Sequence, residues 1–125
     1  MAKITGLGGI FHVVKDPVAT RAWYQEYLGI GGEHGPTLHW SEESGDAPYS
    51  LIGPFSSTDY FKPSDKDFMI NLRVDDLDTF VDQLKAKGID ILGQDDEGYG
   101  KFAWIMDCDG VKIELWEQVD PPPAG

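Results

Sequence analysis

Residues 68–88 read FMINLRVDDLDTFVDQLKAKG, and they hold a strand, a helix start and a helix stop in one run. Ile70, Leu72 and Val74 alternate with Met69, Asn71 and Arg73, the period-two pattern of a half-buried strand. Asp75 or Asp76 then supplies a helix N-cap, and Leu77, Phe80, Val81 and Leu84 fall on one helical face. Lys85 and Lys87 suit the negative end of that helix, and Gly88 suits its left-handed terminus. Three strands are expected after it, at 89–92, 101–107 and 111–117, the last two joined by an Asp109-Gly110 turn.

The first half repeats this plan. A strand at 9–14 leads into Asp16-Pro17, a cap followed by proline at the first helical position. Trp23, Tyr24, Tyr27 and Leu28 supply an apolar face, and Gly29 ends the helix. Extended segments are expected at 30–32, 37–40 and 49–55. The capping aspartates Asp16 and Asp76 are separated by nearly the same interval as the terminating glycines Gly29 and Gly88. The chain therefore reads as a single α+β domain, 1–125, of two tandem βαβββ modules. Module 1 covers about 4–55 and module 2 about 67–118, with a linker at about 56–66 and a proline-rich tail at 119–125.

Several function classes drop out on composition. The opening GLGGIFHVVKD (6–16) is no dinucleotide loop, because its sixth position is Phe11 and an apolar run follows instead of a helix. A formal charge of −12 argues against nucleic acid and anionic membranes. No apolar run has the length of a membrane span and no secretory h-region opens the chain, so a cytoplasmic location is expected. The single cysteine, Cys108, lies between Asp107 and Asp109, which disfavour its thiolate; it is expected to be a turn residue.

The runs DPVATRAWYQEYLGI (16–30), INLRVDDLDTFVDQLKAKGI (70–89) and GKFAWIMDCDGVKIELWE (100–117) resemble the vicinal-oxygen-chelate superfamily, which includes glyoxalase I, bleomycin-resistance proteins and extradiol dioxygenases. The resemblance spans nearly the whole chain. It implies modules whose mixed sheets curve into a cup, often completed by a second subunit, so a homodimer is expected. It also implies four metal-ligand positions, which by motif fall on Gly9, Ser50, Met69 and Glu114. Only Glu114 is a fitting ligand for a divalent ion of this class. The metal site implied by the resemblance is thus degenerate, and no cofactor is expected.

His12 stands near the first of these positions, but strand parity sets it with Ile10 and Val14, and the repeat matches it to Leu72. It is expected in the core or at its edge with one hydrogen-bond partner. His34, in a turn, and His39, on a short strand, are expected at surface or edge positions. The same parity names the cup lining: Gly9, Phe11 and Val13; Met69, Asn71 and Arg73; Ser50 and Ile52; Lys112, Glu114 and Trp116. Trp40, Phe102 and Trp104 are further candidates. The pocket so drawn is apolar and aromatic with a few polar groups, as small-molecule sites are.

Arg73 and Glu114 form a salt bridge in one account. In another, Arg73 clamps a ligand while Glu114, desolvated by aromatics, takes a proton and Asn71 orients the ligand. The leading expectation is a small-molecule-binding protein. The alternative is a metal-independent lyase or isomerase with Glu114 as general base, and a metal-dependent glyoxalase-type lyase stands third.

Overall fold

The computed structural model describes residues 2–39 and 48–119. Its strands are β1 (Ile4–Val13), β2 (Thr37–His39), β3 (Tyr49–Phe55), β4 (Phe68–Val74), β5 (Gly93–Asp96), β6 (Gly100–Met106) and β7 (Lys112–Gln118). Among the described residues they form one mixed sheet in the order β2-β3-β1-β4-β7-β6-β5. The two halves join through their first strands: β1 pairs antiparallel with β4, while β1–β3 and β4–β7 are parallel. Pairing between the halves is thus internal to the chain.

The helices start and stop where the sequence places them. In α1 (Pro17–Trp23) Asp16 accepts a hydrogen bond from the Ala19 amide, and in α2 (Leu77–Ala86) Asp76 does the same for Thr79. A π-helical turn, Tyr24–Leu28, continues α1 to Gly29, which takes the left-handed conformation at φ 70°. The helices differ in how they pack. Leu77 and Val81 of α2 are buried with Val74, Ala103 and Leu115, and Leu72, Phe80 and Leu84 pack against them. No residue of α1 is buried, and Val18, Trp23 and Tyr27 stay exposed.

Two expected strands are placed differently. Residues 30–32 form no strand; Gly32 accepts from the Gly35 amide and Gly31 from the Thr37 amide, so the loop closes on itself. Residues 89–92 are not a strand either. Ile91 packs on the α2 core, and the edge strand is the more polar GQDD at 93–96. Charge on an exposed edge is the common device against further pairing. Trp40 lies outside the described residues.

The stretch expected as a linker folds onto the sheet. A 3-10 turn at Asp59–Phe61 drives Phe61 to full burial against Phe11 and Met69. Ser64 donates to the Gly110 carbonyl at 2.6 Å, and the Lys112 ammonium donates to the Tyr60 carbonyl at 2.7 Å. Among the described residues, no helix is long and apolar enough to cross a membrane.

Candidate functional site

The face of the sheet opposite α2 encloses a cavity of about 290 Å³. Two features set its lining. The first is an irregularity in the β1–β4 register between Leu7 and Gly9, which turns Gly8 toward Asn71. A Cβ on Gly8 would fall 1.7 Å from Asn71 Oδ1 and 3.1 Å from Trp116 Cε3, so this position admits only glycine while those side chains hold their places. The second is the parallel pairing of Phe11 with Gly53, which puts Tyr49, Leu51, Gly53 and Phe55 on the cavity side.

These features correct the expected lining on the first half of the sheet. Gly8, not Gly9, faces the cavity. Leu51 and Gly53 replace Ser50 and Ile52, and the Ser50 hydroxyl donates to the Leu7 carbonyl instead. Met69 is wholly buried beneath the cavity with Phe11 and Phe61, and Val13 packs against that cluster. Phe11, Asn71, Phe102, Glu114 and Trp116 do line the cavity. Trp104 reaches it through Glu114. His34 stands exposed at the cavity wall, a placement that a turn sequence does not announce, and Tyr99 stands beside the mouth. His39 is exposed beside the ring of Tyr49. His12 is absent from the cavity, but its Nε2 is buried without a hydrogen-bond partner among the described residues, where one had been expected.

Glu114 is the polar centre, with 3% of its surface exposed. Asn71 Nδ2 donates to its Oε1 at 2.7 Å, Trp104 Nε1 donates to its Oε2 at 2.9 Å, and the Tyr60 hydroxyl also donates to Oε2. Burial pushes the carboxyl above the ordinary glutamate range; the three donors and the nearby Lys112 ammonium pull the other way without cancelling it. Burial, then the negative charge of Glu114, likewise holds the Tyr60 hydroxyl far above its ordinary value. Lys112 lies over the Tyr60 and Trp104 rings, and desolvation lowers its pKa.

The Arg73–Glu114 pairing expected from the repeat is replaced by another arrangement. The Arg73 guanidinium stacks 4.7 Å from the centre of the Trp116 ring and donates to the Tyr49 carbonyl and to Gln118 Oε1. It thus contacts both Trp116 and Tyr49 of the aromatic lining. Tyr60 was missed by sequence reasoning; its only signal was the adjacent pair Tyr60-Phe61 inside a polar stretch.

The donor set does not suit a divalent metal ion. A tightly held ion of this class needs three or more protein ligands, and among the described lining residues Glu114 is the single carboxylate. Among the described residues no three His, Cys, Asp or Glu side chains converge as a ligand group.

No protein-family model and no curated protein matches the sequence. Solved structures do. Methylmalonyl-CoA epimerase of Streptomyces coelicolor, in complex with 2-nitronate-propionyl-CoA, superposes with a TM-score of 0.69 at 17% identity, over 94% of this chain and 99% of that one. The epimerase of Mycobacterium tuberculosis gives 0.60 at 20% identity, over 98% and 90%. The Mn(II)-bound glyoxalase of Novosphingobium aromaticivorans gives 0.62 at 17% identity; this chain is covered fully but spans 43% of that protein. These are vicinal-oxygen-chelate proteins, and this chain carries the vicinal-oxygen-chelate fold.

Proposed function

We propose that the protein binds a small, largely apolar molecule in this cup, with Glu114 as the polar anchor. One observation carries the proposal: a carboxylate nine-tenths or more buried, held by three donors, forms the wall of an aromatic cavity. Such a group is costly to desolvate and is kept where it orients something. Structural neighbours bind acyl-CoA molecules. With a net charge of −12, this chain suits a polyanion of that kind poorly.

A second function is favoured by the burial of Glu114 in the cavity wall, which raises its pKa and makes it a stronger base than an exposed glutamate. The protein would then be a metal-independent lyase or isomerase. We further take it to work as a cytoplasmic homodimer. The exposed free thiol of Cys108 suits a reducing compartment. The uncovered Val18, Trp23, Tyr27, Leu7 and Ile10 of the first half suit a second copy.

Leu51→Trp, which fills the cavity from β3, tests the binding function. Small aromatic compounds detected by ligand-observed NMR should bind the parent and lose most of their affinity for the variant. Equal binding to both would place the ligand elsewhere. Turnover assays on the parent and Glu114→Gln separate the two functions: a base loses about 10²–10⁴-fold in turnover in the variant, whereas with an anchor neither form turns anything over.

A further inference from the structure

We propose that the cup selects ligands that bring an N–H donor, a primary ammonium on an aromatic or apolar body, with Glu114 Oε1 and Asn71 Oδ1 as its acceptors. This rests on the cup being a small-molecule site and names the chemistry it would select. A carboxylate offers about four acceptor directions. Oε2 of Glu114 uses two, on Tyr60 and Trp104, whereas Oε1 uses one, on Asn71 Nδ2.

Asn71 supplies the second acceptor. The residue is 2% exposed, and Oδ1 is buried without a hydrogen-bond partner among the described residues. Buried acceptors are seldom left so. Rotating the amide would not relieve it, because Oδ1 would then face the Glu114 carboxylate. Oδ1 lies over Gly8, and Gly8, Asn71 and Glu114 all line the same cavity. Two acceptors on one wall, one of them charged, complement a donor with several N–H groups.

The rest of the cup agrees. Phe11, Phe55 and Phe102 bring further aromatic rings to the lining, a group whose faces attract a cation. The two nearby cations donate to protein acceptors, Arg73 to the Tyr49 carbonyl and Gln118 and Lys112 to the Tyr60 carbonyl. At this wall a ligand carboxylate or phosphate would face the acceptors Glu114 Oε1 and Asn71 Oδ1.

Three probes of one shape test this: 2-phenylethylammonium, propylbenzene and 3-phenylpropionate, titrated by ligand-observed NMR into the parent, Asn71→Leu and Glu114→Gln. The ammonium should bind the parent on the order of tenfold or more tighter than propylbenzene, and the propionate weakest of all. Both substitutions should shrink that preference severalfold while leaving propylbenzene bound, an internal check that the variants are folded. Propylbenzene or the propionate binding as tightly as the ammonium would overturn the donor proposal and leave the apolar cup standing. A preference unchanged in both variants would overturn it too. Binding by none of the probes up to ~1 mM would remove the cup as a site and the proposal with it.

Discussion

The Tyr60 hydroxyl donates to Oε2 of Glu114, so a residue from between the two halves completes the wall of the cup built by β4, β6 and β7. The bond depends on a chain of smaller ones. Phe61 plugs the core beside Phe11 and Met69, Ser64 ties the segment to the Gly110 turn, and Lys112 holds the Tyr60 carbonyl.

Tyr60→Phe keeps the ring and removes one charge-assisted donor from a buried carboxylate. It should cost about 1–3 kcal/mol of stability at neutral pH, measured by urea denaturation. An unchanged midpoint would mean that water replaces the hydroxyl at no cost.

Gly8→Ala tests the register irregularity in β1. Its methyl group would overlap Asn71 Oδ1, so the amide must move and its bond to Glu114 must lengthen or break. A loss of about 1–3 kcal/mol is expected. In an Asn71→Ala background most of that loss should vanish, giving a coupling of at least ~1 kcal/mol in a double-mutant cycle. Additive effects would place the clash elsewhere.

The second half of the chain was legible because its elements are locally decided. Asp76, the Leu77/Phe80/Val81/Leu84 face and Gly88 delimit α2, and unbroken alternation in β4 and β7 put Asn71, Glu114 and Trp116 on the cavity side. The first half was harder to read for two reasons. The irregularity at Gly8 breaks the parity on which Gly9 was chosen. The β3 lining depends on a parallel register that no turn specifies, which is why Ser50 came out one residue from Leu51. Tyr60 was illegible because its position is set by the burial of Phe61, a long-range event.

Purified without a metal-affinity step, the protein should carry only a small fraction of an equivalent of any transition metal by elemental analysis. A lone carboxylate whose oxygens already accept three hydrogen bonds makes a poor ligand. A near-stoichiometric ion that survives mild chelation would show that Glu114 exchanges these donors for it.

His12→Leu should raise stability by about 1 kcal/mol, because it removes a buried ring nitrogen that has no hydrogen-bond partner among the described residues. Ligand binding should not change, since His12 does not line the cavity. Destabilisation together with weakened binding would place His12 in the site.

Glu114→Gln should alter the pH dependence of stability in a direction that follows from burial. Desolvation raises the folded pKa of Glu114 above its unfolded value, so the folded chain keeps a proton that the unfolded chain has released. The stability from this group is therefore fully present below the unfolded glutamate range and is lost as pH rises through the raised folded value. Glutamine has no proton to lose. Its Oε1 can accept from Tyr60 and Trp104, and its Nε2 can donate to Asn71 once that amide rotates and presents Oδ1. Subtracting the parent's unfolding free energy from that of the variant cancels the groups they share. The difference should climb in the variant's favour as pH rises from the unfolded glutamate value through the raised folded one, and flatten on either side. A flat difference would mean that burial leaves Glu114 unshifted. A falling one would mean that the three donors outweigh desolvation and hold it as a carboxylate throughout.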